Sequence, residues 1–204
     1  MSAVWSAVLL TVCLCVCADA QSHTLGVFAA GGRLPDSVAA DTIEKELQQL
    51  FSPADIQVAW KTGRNNANEE YEHIVVASFA GNCSVAELPR PQKPQPNLLA
   101  LGETSVQRGG ILPFFTVNCD RIIQMIRPML DPLSMPLRQT MFGRAVARVA
   151  AHEIYHILAQ TPDHDESGVA KASFSPGDLM VEGFRFRASS LHRLPRATVL
   201  AAHR

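Results

Sequence analysis

Apolar runs bounded by polar turns recur through the first part of the chain and predict β-strands. The runs that we predict as strands are residues 24–30, 56–61, 73–80, 98–104 and 111–118. The last two are separated by a polar turn that contains Gly109 and Gly110, so we expect them to pair as a hairpin.

Helical spacing of apolar residues predicts two helices in the same part of the chain. Residues 37–51 follow a Pro-Asp pair that is typical of a helix start, and Leu50 and Phe51 fall on the apolar side of this helix. A shorter helix is predicted over residues 120–129, ended by Pro128.

The longest helical pattern covers residues 137–160. Gly143 is its only glycine, and Pro162 closes it. Residues 161–183 are rich in Pro, Gly, Ser and Asp and are predicted as loop, while the basic tail, residues 184–204, is expected to be helical in part. Strand, helix, several strands and a long helix predict one α+β domain, with a small mixed sheet packed on that helix.

The first 20 residues have the features of a secretory leader. They carry an apolar run over residues 3–17 and end in Ala-Asp-Ala, which resembles a signal cleavage site, although they depart from the usual pattern in having no Lys or Arg at the start. We therefore predict a signal peptide over residues 1–20 and a mature domain over residues 21–204 that is secreted or periplasmic. The apolar run is short for a membrane span, but an uncleaved leader would anchor the chain in a membrane.

Charge and cysteine content limit the partners and the compartment. The chain has 18 Lys and Arg against 19 Asp and Glu, and loss of the leader with Asp19 makes it neutral. We therefore expect no nucleic-acid partner and no stable membrane association after cleavage. Of five cysteines, Cys83 and Cys119 lie outside the leader. In an exported chain they predict one disulfide, with two buried thiols as the alternative.

The segment AHEIYHILAQTPDHDESG, residues 151–168, carries the candidate chemistry. His152 and His156 are one helical turn apart, so both imidazoles project from one face and can reach one Zn²⁺ ion. Glu153 lies on the flank of that face, where a carboxylate can take a proton from water without binding the metal. The helix before this motif is apolar, and burying such groups there would be costly without a metal or other partners.

His152, Glu153 and His156 resemble the zincin metallopeptidases, and within them the metzincins, which carry H-E-x-x-H-x-x-G-x-x-H. His164 corresponds to the third histidine, although it follows the second by eight residues instead of six, and Ala159 stands where the motif has glycine. The resemblance implies a zincin-like fold, a zinc cofactor, a peptide or protein substrate, and Glu153 as the general base. We expect the helix to end one turn later than in metzincins and a longer loop to return His164.

Other residues compete with these assignments. Asp163 and Asp165 flank His164, and Glu182 lies at a distance that resembles the glutamate-ligated zincins, so the third ligand stays open. Met180 follows a Pro-Gly turn and is a candidate for the methionine turn that the resemblance implies, with simple core packing as the alternative.

Three functions are consistent with the sequence. The first is a secreted zinc-dependent endopeptidase in which His152, His156 and His164 bind zinc. The second is a degenerate zincin domain that binds metal or a protein partner without turnover, which the altered spacing favours and the retained Glu153 disfavours. The third is a small exported protein without metal.

Overall fold

Strands and helices alternate along the residues that the computed structural model describes, which are 23–62, 69–88 and 100–195. The predicted leader, residues 1–20, lies outside these ranges. The strands are β1 His23–Ala29, β2 Ile56–Thr62, β3 His73–Ala80, β4 Gly102–Gln107 and β5 Gly110–Asn118. The helices are α1 Ser37–Phe51, α2 Cys119–Leu130, α3 Met135–Ala159, α4 Pro176–Met180 and α5 Ala188–Leu191.

The five strands form one mixed sheet in the order β2-β1-β3-β5-β4. Four strands are parallel, and only β4 runs antiparallel, at the edge beside β5. The predicted hairpin is confirmed, and Arg108 and Gly109 form its turn with φ angles of 50° and 82°. Strand β4 is shifted along the chain from the predicted segment 98–104, since it begins at Gly102 and ends at Gln107; residues 98 and 99 lie outside the described ranges. An edge strand that is largely exposed keeps its polar side chains in water, so their polarity does not prevent pairing.

Helices α1 and α3 pack together against the sheet and share one hydrophobic core with it. Alternate residues of the central strands, such as Leu25, Val27 and Val75, are buried in this core. On the opposite face, Ile74 and Phe114 remain 52% and 47% exposed. The structure therefore confirms the predicted α+β domain, in which a small mixed sheet packs on a long helix.

Close approach of α1 and α3 depends on Gly143. A Cβ atom at this position would lie 2.6 Å from the carbonyl oxygen of Ala39 and 2.9 Å from Cβ of Thr42. One turn further along α3, the guanidinium of Arg148 is 1% exposed and binds the Glu46 carboxylate of α1, with Nε and Nη2 each 2.9 Å from Oε1. The middle of the long helix is thus fixed against α1 before the helix reaches the histidine motif.

Two further predictions concern the ends of helices and the cysteines. Helix α2, predicted over residues 120–129, spans Cys119–Leu130, and Pro128 lies in its last turn, where the helix ends two residues after it. Cys83, after β3, and Cys119, at the start of α2, form the predicted disulfide with their Cα atoms 5.0 Å apart.

Within the described ranges, no helix is both long enough and apolar enough to cross a membrane.

We predict that Gly143→Ala lowers the free energy of unfolding by about 1–3 kcal/mol, the usual cost of overpacking a core. Alanine is intrinsically better than glycine in a helix by about 1 kcal/mol, so a loss would show that the contact with the α1 backbone outweighs helix propensity. Urea unfolding of both proteins measures the difference.

Gly177→Ala is the matched control, since a Cβ atom there meets only Oγ of Ser175, at 3.6 Å. This control should leave the stability unchanged or slightly higher. Equal stability of Gly143→Ala and the parent would contradict the proposed role of the close helix contact.

Candidate metal centre

The last three turns of α3 carry three buried polar side chains, next to one another in space. His152, Glu153 and His156 are only 8%, 6% and 7% exposed. The loop after the helix returns His164 to the two helical histidines, and one ring nitrogen of each lies within 4.8 Å of the others. The structure therefore brings together the three histidines that the sequence singles out.

Hydrogen bonds to the backbone set the orientation of the two helical imidazoles. Nδ1 of His152 lies 2.9 Å from the carbonyl oxygen of Val169, and Nδ1 of His156 lies 2.6 Å from that of Thr161. A carbonyl only accepts, so each Nδ1 must carry the proton and each Nε2 keeps its lone pair. The sequence motif gives no indication of these two acceptors, because both lie in the irregular loop.

The two Nε2 atoms face each other at a distance of 3.0 Å. Two lone pairs at this separation repel unless a cation lies between them. Two nitrogens bound to one tetrahedral zinc ion at its usual bond length are about 3.3 Å apart, close to the observed spacing. The donor set and its spacing therefore fit a zinc ion.

Burial also keeps the imidazoles in the form that binds metals. Burial lowers the pKa of His152 to about 4 and also lowers the pKa of His156. Both rings are therefore neutral near neutral pH, as a metal ligand must be.

The chain leaves α3 at Gln160, which adopts a left-handed conformation with φ 48° and ψ 43°. The helix ends at Ala159, one residue before the end predicted for it at residue 160, and it does not continue for a turn beyond the position where metzincins have glycine. A left-handed residue other than glycine is unfavourable by about 1–2 kcal/mol. Two hydrogen bonds hold the loop beyond Gln160. The carbonyl of Thr161 accepts one from His156, and Oγ1 of Thr161 accepts another from the amide of Asp163 at 3.1 Å.

The third histidine is exposed and stands over the other two. The His164 ring is nearly parallel to that of His152, with centroids 5.1 Å apart, and perpendicular to that of His156, with centroids 4.8 Å apart. The loop from Thr161 to His164 therefore has the length needed to bring this side chain back.

The acidic residues considered as third ligands are placed differently. The Asp165 carboxylate accepts hydrogen bonds from the hydroxyls of Ser189 and Ser190. The Glu182 side chain is 90% exposed and lies 3.8 Å from Arg144. Asp163 is exposed and does not belong to the group of candidate ligand atoms found among the described residues.

Glu153 is held by the edge strand β4. Its Oε2 accepts a hydrogen bond from Oγ1 of Thr104 at 2.6 Å. Gly102, on the same strand, leaves room for it, since a Cβ atom there would lie 2.7 Å from Oε1. Burial raises the pKa of Glu153 to about 7, partly offset by the Thr104 hydroxyl. A carboxyl group with this pKa can both take and give a proton near neutral pH.

Sequence analysis missed Thr104 and Gly102. They are 49 and 51 positions before Glu153, and nothing in a strand pattern indicates which helix residue will face it. Their contacts with Glu153 depend on how α3 lies across β4, which only the folded structure determines.

A cavity of about 510 Å³ opens beside these groups. The three histidines and Glu153 form part of its wall, and apolar side chains that include Leu101, Ile111, Met125, Val149 and Phe174 form much of the rest. A volume of this size accommodates a peptide side chain together with the backbone that carries it.

Two other residues near the motif have packing roles. Tyr155 is fully buried against Phe186, and its hydroxyl accepts from Arg193 at 3.3 Å. Met180 is 7% exposed at the end of α4, within the core, and its carbonyl accepts from Arg144 at 3.1 Å. Neither residue lines the cavity, and the methionine turn stays a prediction.

No protein-family model and no curated protein matches the chain. Among solved structures, archaemetzincin from Methanopyrus kandleri is similar at 15% identity and a TM-score of 0.45, over 84% of this chain and 92% of that chain. A zinc-dependent peptidase from Methanocorpusculum labreanum is similar at 11% identity and a TM-score of 0.44, over 85% of this chain and 94% of that chain. At these identities and scores, the likeness leaves the function to be judged from the geometry of the site.

Proposed function

We propose that the chain is a zinc-dependent peptidase of the zincin type. The observation that carries this proposal is the pair of imidazole nitrogens that face each other at 3.0 Å, with the buried carboxylate of Glu153 beside them and an open cavity in front. A purely structural metal site has no need of such a carboxylate. A catalytic site combines three protein ligands with an open position, which is the arrangement supported here.

His152, His156 and His164 would hold the zinc ion. Bound there, zinc supplies a Lewis acid that lowers the pKa of water and polarises a substrate carbonyl. The backbone acceptors of His152 and His156 keep their rings oriented, because each ring would otherwise rotate about its side-chain bonds. The exposed position of His164 leaves one side of the centre open to the cavity.

Glu153 acts as the general base and then as the general acid. It takes a proton from the attacking water and delivers it to the nitrogen of the departing amine, so the carboxyl group ends each cycle as it began. Burial raises the pKa of Glu153 to about 7 in the metal-free chain, so its carboxyl group is one that can hold a proton between the two steps. Thr104 keeps the carboxyl group in place during the cycle, because its hydroxyl bonds Oε2.

The substrate would be a peptide that lies extended along β4. This strand is the edge of the sheet and contributes Gly102, Thr104 and Val106 to the cavity wall. The outer side of an edge strand carries unpaired backbone groups that can bind another extended chain. A substrate bound in this way could extend past the site in both directions, which supports an endopeptidase. The apolar wall of the cavity supports a preference for an apolar side chain next to the cleaved bond.

The enzyme would act outside the cytosol. The predicted leader over residues 1–20 and the Cys83–Cys119 disulfide both support an exported protein, since disulfides persist in oxidising compartments. A mature chain without its leader would have no stable attachment to a membrane.

We predict that His164→Ala weakens the tightest zinc site by at least about 100-fold, because the change removes a direct ligand and the loss of a mere supporting group already costs about 10–100-fold. Asp165→Asn, which keeps the side-chain shape, should change the affinity less than about threefold. Competition with a chromophoric zinc chelator measures both. Equal losses, or a greater loss for Asp165→Asn, would contradict the proposed ligand set.

We predict that Glu153→Gln lowers peptide cleavage by about 100–10,000-fold, the usual contribution of a general base, while the zinc ion of the centre on α3 remains bound. Glu166→Gln is the control, because that side chain is 95% exposed. Cleavage of a peptide library with and without a chelator, together with metal analysis, tests the proposal. Bound zinc with no cleavage by the parent protein would instead support a domain that binds metal without turnover.

We predict that Thr104→Val lowers kcat by about 10–100-fold and changes KM less than about threefold, because the variant keeps the strand but loses the hydrogen bond that positions Glu153. Thr104→Ser should restore most of kcat, since serine keeps the hydroxyl. Steady-state kinetics on one cleaved peptide gives both constants. A Thr104→Ser variant as slow as Thr104→Val would argue against a role for the hydroxyl.

A further inference from the structure

A second group of metal-binding side chains lies where β1 and β3 begin. The two strands are parallel, and His73 pairs with Leu25, so His23 lies two residues upstream of that pair and on the same face of the sheet. Glu72 immediately precedes β3. None of these residues takes part in the centre on α3 or lines the cavity in front of it.

The three side chains converge closely. One ligand atom each of His23, Glu72 and His73 lies within 4.8 Å of the other two. Nδ1 of His23 contacts Oε2 of Glu72 directly, and the two imidazole rings are 5.9 Å apart with a tilt of 38°. His23 is 5% exposed, whereas the Glu72 side chain is 50% exposed, so the group is anchored inside the protein and open to solvent on one side.

His73 supplies the second observation. Its Nε2 atom is buried and has no hydrogen-bond partner among the residues that the structure describes. A buried polar atom without a partner is unfavourable, so such atoms are uncommon unless they bind something. The neighbouring side chains offer a carboxylate and a second imidazole, which together favour a bound cation.

We propose that His23, Glu72 and His73 form a second site for a divalent transition-metal ion, apart from the centre on α3. Two imidazoles and one carboxylate are a donor set that suits Zn²⁺ and its neighbours in the first transition series, whereas Ca²⁺ and Mg²⁺ prefer oxygen ligands alone. A bound ion would join the first residues of β1 to the start of β3. Its role is structural, since it would cross-link the N-terminal ends of two neighbouring interior strands.

Metal stoichiometry tests this site without any reference to peptidase activity. The full chain, expressed without a histidine tag, is loaded with excess zinc, freed of unbound ion and analysed for metal. We expect two zinc ions per chain in the parent protein and one in His73→Ala, with unchanged circular dichroism. Glu72→Gln should lower the affinity for the second ion by at least about 10-fold. Glu70→Gln, which changes an exposed neighbouring carboxylate, should leave that affinity unchanged.

A second arm separates this proposal from the zinc centre on α3. The double variant His152→Ala, His156→Ala should keep one ion, and the visible absorption of Co²⁺ bound to it should disappear when His73→Ala is added. One ion in the parent and none in the double variant would overturn the second site and leave the first intact. Two ions in both the parent and His73→Ala would also overturn it.

Discussion

The site on α3 depends on one constraint, which is that two imidazole nitrogens with exposed lone pairs are held 3.0 Å apart. One turn of helix sets the separation, and the carbonyls of Thr161 and Val169 fix which nitrogen of each ring faces inward. Neither factor alone would suffice, since helical spacing without the acceptors would leave the rings free to present either nitrogen. The fixed pair, the returning His164 and the buried Glu153 together favour a catalytic zinc centre over a histidine-rich helix end.

The same helix forms the centre of the core. Gly143 and the Arg148–Glu46 ion pair hold its first half against α1, and its second half presents the polar groups to the cavity. The contacts with α1 therefore help to fix the positions of the histidines, because a helix that cannot rotate keeps its histidines facing the loop. The unfavourable left-handed Gln160 lies at the exit of this helix, where the chain must turn sharply to return His164.

Sequence reasoning succeeded where the evidence was local and periodic. The period of the helix placed His152 and His156 on one face, and the range of α1 was predicted correctly because its apolar spacing and its start were both distinct. It placed the end of α3 within one residue but did not predict the left-handed conformation of Gln160, since nothing in that residue type indicates it. It also placed β4 too early in the chain, because the polar residues at the end of this exposed edge strand resemble a turn.

Sequence reasoning did not predict contacts between distant segments. Neither the bond from Thr104 to Glu153 nor the engagement of Asp165 by Ser189 and Ser190 follows from spacing, because each joins residues more than 20 positions apart. The hydrogen bonds of Asp165 disfavour it as the third ligand in place of His164, and the bond to Glu153 adds Thr104 to the proposed mechanism. Both depend on the packing of whole elements and not on any motif.

X-ray absorption at the zinc edge tests the proposed centre most directly. The His73→Ala chain, loaded with one equivalent of zinc, isolates the ion on α3. We predict four light-atom ligands at about 2.0–2.1 Å, with the multiple-scattering pattern of three imidazoles and one remaining oxygen from water. Two or fewer imidazoles, or a fourth ligand from the protein in place of water, would contradict a catalytic zinc held by His152, His156 and His164.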